Sequence, residues 1–224
     1  MGKISRVLAA LMEFNLKTIY FNFKYFPFAQ AIYMPVFISR HVKFVNLKGQ
    51  VTFQGNLKPR QVRIGYKALS FFDHKRSRSI LDIHGHVIFE GKATIGHGSK
   101  LAVSKDGKVS FGDKFIITAE SSILCVTAIK FGSNCLLSWD TLIMDTDFHK
   151  ILNEKKEEIN SPKPINFGND IWIGCRCLIL KGANIPNGSI IAANTTVGSK
   201  PLTGENRVFG GSPLVELRKD VTWA

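Results

Sequence analysis

The stretch IMDTDFHKI, residues 143–151, places two carboxylates and a histidine within five positions. A neutral imidazole has a pKa near the working pH and can take the proton from a hydroxyl group. Its second ring nitrogen must be held in one tautomer by a carboxylate or a carbonyl. Asp145 and Asp147 are both close enough in sequence to do this. The spacing is typical of a general base at His149, although it also fits a solvated loop histidine, and it leaves open which aspartate would orient the ring.

These residues interrupt a six-residue hydrophobic repeat. Beyond the interruption, large apolar residues recur at every sixth position: Phe167, Ile173, Ile179, Ile185, Ile191 and Val197. Small residues follow four of them at a distance of four: Cys177, Ala183, Ser189 and Thr195. A period of six fits neither a helix nor one alternating strand, but it fits short strands joined by tight corners and stacked into a solenoid.

The same period is present before the interruption, in three shorter runs. They are Ile83, Phe89, Ile95 and Leu101; Phe111, Ile117 and Ile123; and Phe131, Leu137 and Ile143. The phase slips by four residues after Leu101 and by two after Ile123, so we expect short loops or bulges there. The charged segment NEKKEEINSPKP cannot fill a solenoid interior, and we expect a projecting loop at 144–166 with His149 at its root.

The segment INFGNDIWIGCRCLILKGANIPNGSIIAANTTVG, followed by GGSPLVELR, resembles the hexapeptide-repeat acyltransferases. The resemblance covers roughly residues 62 to 218. The DTDFH and IWIG motifs make it most similar to the O-acetyltransferase branch, which includes galactoside, maltose, capsular-polysaccharide and sialic-acid O-acetyltransferases. The resemblance implies an all-β fold, a left-handed parallel β-helix, with a short helical N-terminal extension.

We therefore expect three regions: a basic, aromatic-rich extension at 1–62, a β-helix acyltransferase domain at 63–218 and a tail at 219–224. The resemblance implies transfer of an acetyl group from acetyl-CoA to a hydroxyl of a sugar or surface glycan, with His149 as general base. It also implies a homotrimer with its sites at subunit interfaces and no required metal. Neither the acceptor nor the choice between O- and N-acetyl transfer follows from the sequence.

The resemblance also implies further site residues. Trp172, which opens the WIG motif, would stand in the active site and exclude water beside the thioester. The coenzyme would bind the backbone near Cys175 and Ala193, which are one turn of 18 residues apart and should stack. Lys200 and Arg218 would meet the nucleotide phosphates. Here the sequence departs from the family, because GSKP shifts Lys200 by one position and a second arginine of the family is Val215.

The charge of the chain is strongly uneven. The formal net charge is +13, and residues 1–62 contain nine Lys or Arg and a single acid, Glu13. This favours an acidic or lipid-linked glycan and peripheral contact with the inner membrane face. No nucleic-acid recognition motif is present, so nucleic acid is not an expected partner.

Two further patterns concern localisation. A helix is predicted at about residues 4 to 20, with Ile4, Val7, Leu8, Leu11, Leu16 and Ile19 near one face. It could lie on a membrane or cap the core. The longest uncharged run, residues 25–39, is shorter than the ~20 residues of a spanning helix. Four cysteines without a CxxC pair indicate reduced thiols and a cytoplasmic protein.

Two alternatives remain. The first is a γ-carbonic-anhydrase-like zinc enzyme on the same fold, for which His84, His86 and His97 are the candidate ligands, although the second ligand cluster of that family is missing. The second is a non-enzymatic β-solenoid that binds a partner on its flat faces, which would have no need of DTDFH beside a loop.

Overall fold

The part of the chain that the structure describes begins with two helices, which a long series of short strands follows. A computed structural model describes residues 14–55, 57–66, 69–73 and 76–223. Helix α1 spans Leu16–Tyr25 and helix α2 spans Phe28–Ala31. Asn15 caps α1 by accepting hydrogen bonds from the backbone of Lys17 and Thr18. Most of the helix predicted at 4–20 lies outside the described residues.

The strands belong to three sheets. The first sheet contains β1 (Val36–Ile38), β4 (Val62–Tyr66), β7 (Ala93–Gly96), β10 (Phe115–Ile117), β13 (Leu136–Leu137), β16 (Trp172–Ile173), β19 (Ile190–Ile191), β21 (Val208–Gly210) and β22 (Val215–Arg218). The second contains β2 (Val42–Leu47), β5 (Ser79–Ile83), β8 (Lys100–Val103), β11 (Ser122–Cys125), β14 (Leu142–Met144), β17 (Leu178–Leu180) and β20 (Thr196–Val197). The third contains β3 (Gln50–Phe53), β6 (His86–Phe89), β9 (Lys108–Phe111), β12 (Ala128–Phe131), β15 (Ile165–Phe167) and β18 (Asn184–Ile185).

Up to β21, successive strands lie in different sheets and each pairs in parallel with the strand one turn before it, whereas β22 folds back and pairs antiparallel with β21. Ile123 of β11, for example, pairs with Leu101 of β8 on one side and with Ile143 of β14 on the other. One strand of each sheet per turn is the architecture of a parallel β-helix. The all-β, left-handed parallel β-helix predicted from the sequence is confirmed.

The repeat residues fill the interior. All sixteen positions of the six-residue register are at most 3% exposed. In the third sheet, four of the phenylalanines stack one above another, with ring centroids 5.3 Å apart for Phe89 and Phe111, 5.5 Å for Phe111 and Phe131, and 4.4 Å for Phe131 and Phe167. Each buried ring removes a large apolar area from water, and stacked positions pack against the turns above and below.

The phase slips all fall at the corner between the second and third sheets. Four residues separate β8 from β9 and two separate β11 from β12, whereas the corresponding connection after β14 is a loop of twenty residues, 145–164. The ladder continues across this loop, because Ile129 of β12 pairs with Ile165 of β15. Extra residues are therefore accommodated at this corner without loss of register.

The parallel ladder begins earlier than the boundary expected at residue 63. Strands β1, β2 and β3 already form a complete turn, in which Val36 pairs with Val62 and Val51 pairs with Val87. The six-residue period is hidden here for two reasons. A register shift interrupts β2 between Phe44 and Asn46, and residues 67–78 intervene between β4 and β5.

Helix α1 covers the outer edge of β1 with polar side chains. The Asn22 amide group donates to the Val36 carbonyl at 2.6 Å and accepts from the Val36 N–H at 3.1 Å. The Thr18 hydroxyl accepts from the Ile38 N–H at 3.0 Å and lies 3.2 Å from the Ile38 carbonyl as a donor. Asn15 adds a bond to the same carbonyl at 2.7 Å. These side chains replace the missing neighbouring strand, so the buried edge of the first turn is satisfied.

Within the described residues, no helix is both long and apolar enough to cross a membrane.

We predict that Asn22→Ala lowers the free energy of unfolding by about 1 to 3 kcal/mol, because it leaves the Val36 N–H and C=O buried without partners. Chemical denaturation measures this difference. Asn184→Ala, an exposed position on β18, is the matched control and should stay within about 0.5 kcal/mol of wild type. Equal stability of the two variants would contradict the edge-capping role of Asn22.

Candidate active site

The loop 145–164 leaves the β-helix between β14 and β15, where the sequence predicted a projecting loop at 144–166. Its two ends are held together at the root. The Lys163 N–H donates to the Asp145 carbonyl at 3.0 Å, and the Gly182 N–H of the next turn donates to the Lys163 carbonyl at 3.3 Å. Within the loop, Leu152 and Glu158 form an isolated antiparallel bridge. The loop is therefore an ordered projection whose base is part of the corner.

Asp145 is fully buried and serves the corner of the preceding turn. Its carboxylate accepts from the N–H groups of Val126 and Thr127, both at 2.7 Å, and from the Thr127 hydroxyl at 2.7 Å. The Cys125 thiol lies 3.6 Å from the same carboxylate. Its oxygens are therefore engaged by backbone and side-chain donors of the turn before, and among the described contacts none joins it to the His149 ring.

Asp147 is the centre of a polar clamp at the loop root, formed by Asp147, Asn160 and Lys181. The Asp147 carboxylate accepts from the Lys181 ammonium group at 2.6 Å and from the Asn160 amide at 2.7 Å. Lys181 also donates to the Asn160 carbonyl. The hydrogen bond from Lys181, together with that from Asn160, lowers the pKa of the Asp147 carboxyl from its usual range.

The clamp fixes the backbone of His149. The same Asn160 amide donates to the His149 carbonyl at 2.8 Å, and the Asn160 side-chain oxygen accepts from the Ile151 N–H at 2.6 Å. The His149 side chain is exposed, and none of the hydrogen bonds described for this part of the chain involves its imidazole. The arrangement thus holds the backbone of His149 at a defined place and leaves its imidazole exposed to solvent.

Sequence reasoning did not identify Asn160 or Lys181. Asn160 lies within a charged segment that predicts only a solvated loop. Lys181 follows β17 by one residue, and nothing in its local sequence separates it from the other lysines. Their role depends on the tertiary structure. The turn that contains β17 places Lys181 next to the loop root, where Lys181 and Asn160 both contact Asp147.

Trp172 lies on β16 in the first sheet, with 37% of its surface exposed. Its indole N–H donates to the Ser138 hydroxyl at 3.2 Å, which fixes the ring against the preceding turn. The indole therefore presents an anchored apolar surface on the outside of the β-helix.

Cys175 and Ala193 occupy the corner between the first and second sheets on successive turns. The Asn194 N–H donates to the Cys175 carbonyl at 2.9 Å, as the expected stacking of this column requires. Gly174 lies so close to the next turn that a Cβ there would come within 2.6 Å of the Ala193 nitrogen. Both residues have small side chains, so an extended ligand can approach the backbone closely along this column.

Lys200 and Arg218 are exposed near the C-terminal end of the β-helix. Lys200 follows β20, and Arg218 ends β22, where it lies opposite Val208 of β21. The neighbouring Glu216 is occupied by Arg207, which donates to its carboxylate, and by Lys219 at 3.7 Å. Both positive charges are thus available to solvent, and Lys200 lies at the same end of the second sheet as Lys181, on the next turn.

The predicted residues fall into two groups at opposite ends of the second sheet. Cys175, with Ala193 above it, precedes β17, whereas Lys181 and the loop root follow it. Lys181 lies six positions after Cys175, along a path that contains the corner as well as β17, so at most about 20 Å of extended chain separates them. Within one chain, the structure brings His149 together with Asp147 and Trp172 together with Ser138, but it does not bring these two groups together.

The three histidines considered for zinc do not converge in the described residues. His84 lies 3.0 Å from Asp82, and the His86 ring lies 2.8 Å from the Thr52 hydroxyl. His97 is buried at a different corner, with its ring centroid 5.5 Å from that of Phe72. No group of three His, Cys, Asp or Glu in the described ranges could hold a metal ion.

Known proteins similar to this chain are acetyltransferases. A Schizosaccharomyces pombe protein named as an acetyltransferase is 30% identical over 111 residues, which is 50% of this chain and 53% of that protein. The polysialic acid O-acetyltransferase of Neisseria meningitidis is 30% identical over 94 residues, 42% of this chain and 34% of that protein. WbbJ of Escherichia coli, named as an O-acetyltransferase of lipopolysaccharide biosynthesis, is 24% identical over 147 residues, 60% of this chain and 72% of that protein.

The chain spans about half the length of the first of these relatives and about a third of the second. Among solved structures, the polysialic-acid-specific acetyltransferase NeuO aligns with 84% of this chain and 83% of its own, with a TM-score of 0.49 and 18% identity. No family model matches the chain. The resemblance to hexapeptide-repeat O-acetyltransferases expected from the sequence is confirmed.

We predict that the loop root opens when Asp147 loses its charge. The pKa of Asp147 is lower in the folded state than in the unfolded state, so its stabilisation is complete above the ordinary carboxyl pKa and is lost as the pH falls through the lowered value. Asp147→Asn should mimic the protonated state at pH 7 and accelerate amide hydrogen exchange across residues 148–160. Asp106→Asn, an exposed position at the same corner two turns earlier, is the control. Unchanged exchange in Asp147→Asn would show that the clamp does not hold the loop.

Proposed function

We propose that this protein is an acetyl-CoA-dependent O-acetyltransferase that acts on a hydroxyl group of a sugar or surface glycan. The observation that carries the proposal is the exposed imidazole of His149, held by its backbone in a polar clamp where the β-helix is interrupted. The names of the similar proteins support acetyl transfer; one of them names a glycan, polysialic acid, and another names lipopolysaccharide biosynthesis.

In the proposed reaction, neutral His149 takes the proton from the acceptor hydroxyl as its oxygen attacks the thioester carbonyl of acetyl-CoA. The tetrahedral intermediate collapses with cleavage of the carbon–sulfur bond. The imidazolium returns the proton to the departing coenzyme A thiolate. Acetyl ester and free coenzyme A leave, and the histidine is neutral again.

We propose direct transfer without an acyl-enzyme. Burial raises the pKa of the Cys125 and Cys135 thiols to about 12, and it also raises that of Cys177. Cys177 donates to the Ala192 carbonyl at 3.1 Å inside the β-helix. A buried thiol with a raised pKa is a poor nucleophile at neutral pH. A histidine base acting on the acceptor itself needs no such nucleophile.

The coenzyme is proposed to lie along the Cys175–Ala193 column, with its phosphates near Lys200 and Arg218. The small side chains of the column expose backbone groups to the pantetheine arm, and the exposed charges of Lys200 and Arg218 near the C-terminal end of the β-helix would complement the phosphates. Trp172, anchored by Ser138, would exclude water beside the thioester.

In the proposed reaction the groups come from more than one copy of the chain. Acyl transfer requires the hydroxyl and the thioester carbon about 3 Å apart. The coenzyme column precedes the strands of the second sheet, whereas His149 lies on the loop that follows them, and up to about 20 Å of extended chain separates the two ends. We propose a homotrimer in which the loop of one subunit reaches the coenzyme column of the next. The exposed apolar side chains of Phe148, Ile151 and Ile159 on the loop support such a contact.

We predict that His149→Ala lowers acetyl transfer by at least 10²-fold, since a general base contributes about 10² to 10⁴ in rate. Turnover should be measured with a panel of nucleotide sugars and oligosaccharides as acceptors. His84→Ala, another exposed histidine at the same corner of an earlier turn, is the control and should keep normal turnover. Near-normal turnover of His149→Ala on a confirmed acceptor would remove it from the mechanism.

We predict that Lys200→Ala and Arg218→Ala raise the KM for acetyl-CoA and leave kcat nearly unchanged, because phosphate contacts bind ground state and transition state alike. The effect should shrink as the salt concentration rises. Lys130→Ala on β12 is a matched surface control. If coenzyme A raises the melting temperature of both variants as much as that of wild type, these residues do not contact it.

A further inference from the structure

Helix α1 presents an apolar stripe on its outward face. Its face against the β-helix contains Phe21, Thr18 and Asn22, all at most 1% exposed, and the two polar residues are bonded to β1. The opposite face is a stripe of Leu16, Tyr20 and Phe23, which are 83%, 54% and 43% exposed. Positions four and then three residues apart follow one side of a helix. The outward side of α1 is therefore apolar.

The stripe continues onto α2. The Phe23 ring lies 5.9 Å from the Phe28 ring, and Phe28 and Ile32, four residues apart, are 73% and 51% exposed. We call these five residues, Leu16, Tyr20, Phe23, Phe28 and Ile32, the N-terminal apolar patch. A contiguous apolar surface of this kind marks an interaction site more often than scattered single residues do.

The surroundings of the patch are cationic. No Asp or Glu occurs between residues 14 and 72. The Tyr20 ring lies 6.2 Å from Phe44, which borders a surface groove of about 540 Å³. The groove is lined by Lys17, Arg40, His41, Val42, Lys43, Phe44 and Arg78. Lys17 is fixed there by donating to the Arg40 and Val42 carbonyls at 2.8 and 2.6 Å.

We infer that the N-terminal apolar patch docks this end of the β-helix onto an anionic lipid bilayer. Aromatic and aliphatic side chains would enter the boundary between headgroups and acyl chains, and the flanking lysines and arginines would meet the lipid phosphates. A second copy of the chain is a poorer occupant, because it would place two cationic ends against each other. The inference depends on α1, α2 and the basic groove beside them, and it stands apart from the acetyl-transfer reaction.

Vesicle flotation of the full chain tests this inference. Wild type should bind vesicles of phosphatidylcholine with about 30% phosphatidylglycerol, and binding should weaken as salt screens the lipid charge. The triple variant Leu16→Ser, Tyr20→Ser, Phe23→Ser should lower the partition coefficient at least tenfold. Its positions are exposed, so folding should be retained. The double variant Val215→Ser, Leu217→Ser, also exposed but on β22, is the matched control and should bind as wild type.

A charge-reversal variant supplies a second arm that leaves the apolar patch intact. Lys24→Glu with Lys43→Glu should weaken binding to the anionic vesicles at least tenfold, since each basic residue near such a surface contributes about 1 kcal/mol. Triple-variant binding equal to wild type would overturn the inference, as would equal wild-type binding to pure phosphatidylcholine vesicles. A smaller assembly mass for the triple variant in light scattering without lipid would instead identify the patch as a contact between copies.

Discussion

The interaction on which this molecule depends is the parallel backbone ladder that joins each turn to the next. Ile143, for example, is paired with Ile123 below and Ile179 above. Because the hydrogen bonds run along the axis, no turn is stable without its neighbours, and a residue's position within its turn decides whether it fills the core or faces outward. Columns of equivalent side chains result, such as the stacked phenylalanines of the third sheet.

The ladder also explains where a site can be built. Strands tolerate no insertion without loss of register, whereas a corner can lengthen while the flanking strands stay paired. The loop 145–164 uses this freedom: Met144 pairs with Leu180, and Ile165 pairs with Ile129 across the insertion. The turns on either side then hold the loop root: Thr127 of the turn before donates to Asp145, and Lys181 of the turn after donates to Asp147. The two ends of this charged loop are thereby fixed to the β-helix.

The ends of the ladder impose a different constraint. The outer edge of β1 would expose backbone donors and acceptors to an apolar neighbour if it were covered by an ordinary amphipathic helix. Asn15, Thr18 and Asn22 satisfy this edge, so the polar side of α1 is consumed internally. Phe21 is buried beside them, whereas Leu16, Tyr20 and Phe23 face outward, where Phe23 contacts Phe28 of α2. The edge constraint thus accounts for the polar residues on the buried face of α1.

The sequence by itself determined the architecture of the main body and the position of the interruption. Sixteen apolar positions at a spacing of six could be buried together only by short stacked strands, and a charged, proline-containing segment could not follow them inside. The first turn was beyond this reasoning, because the shift in β2 and the insertion before β5 remove the period. Only the tertiary structure decided the partners of the two aspartates. Asp145 and Asp147 are two residues apart and chemically identical, yet one is buried against the preceding turn and the other is clamped by Lys181, 34 residues away. Such partners are set by which residues the turns stack above and below each other, and local sequence carries no record of that stacking.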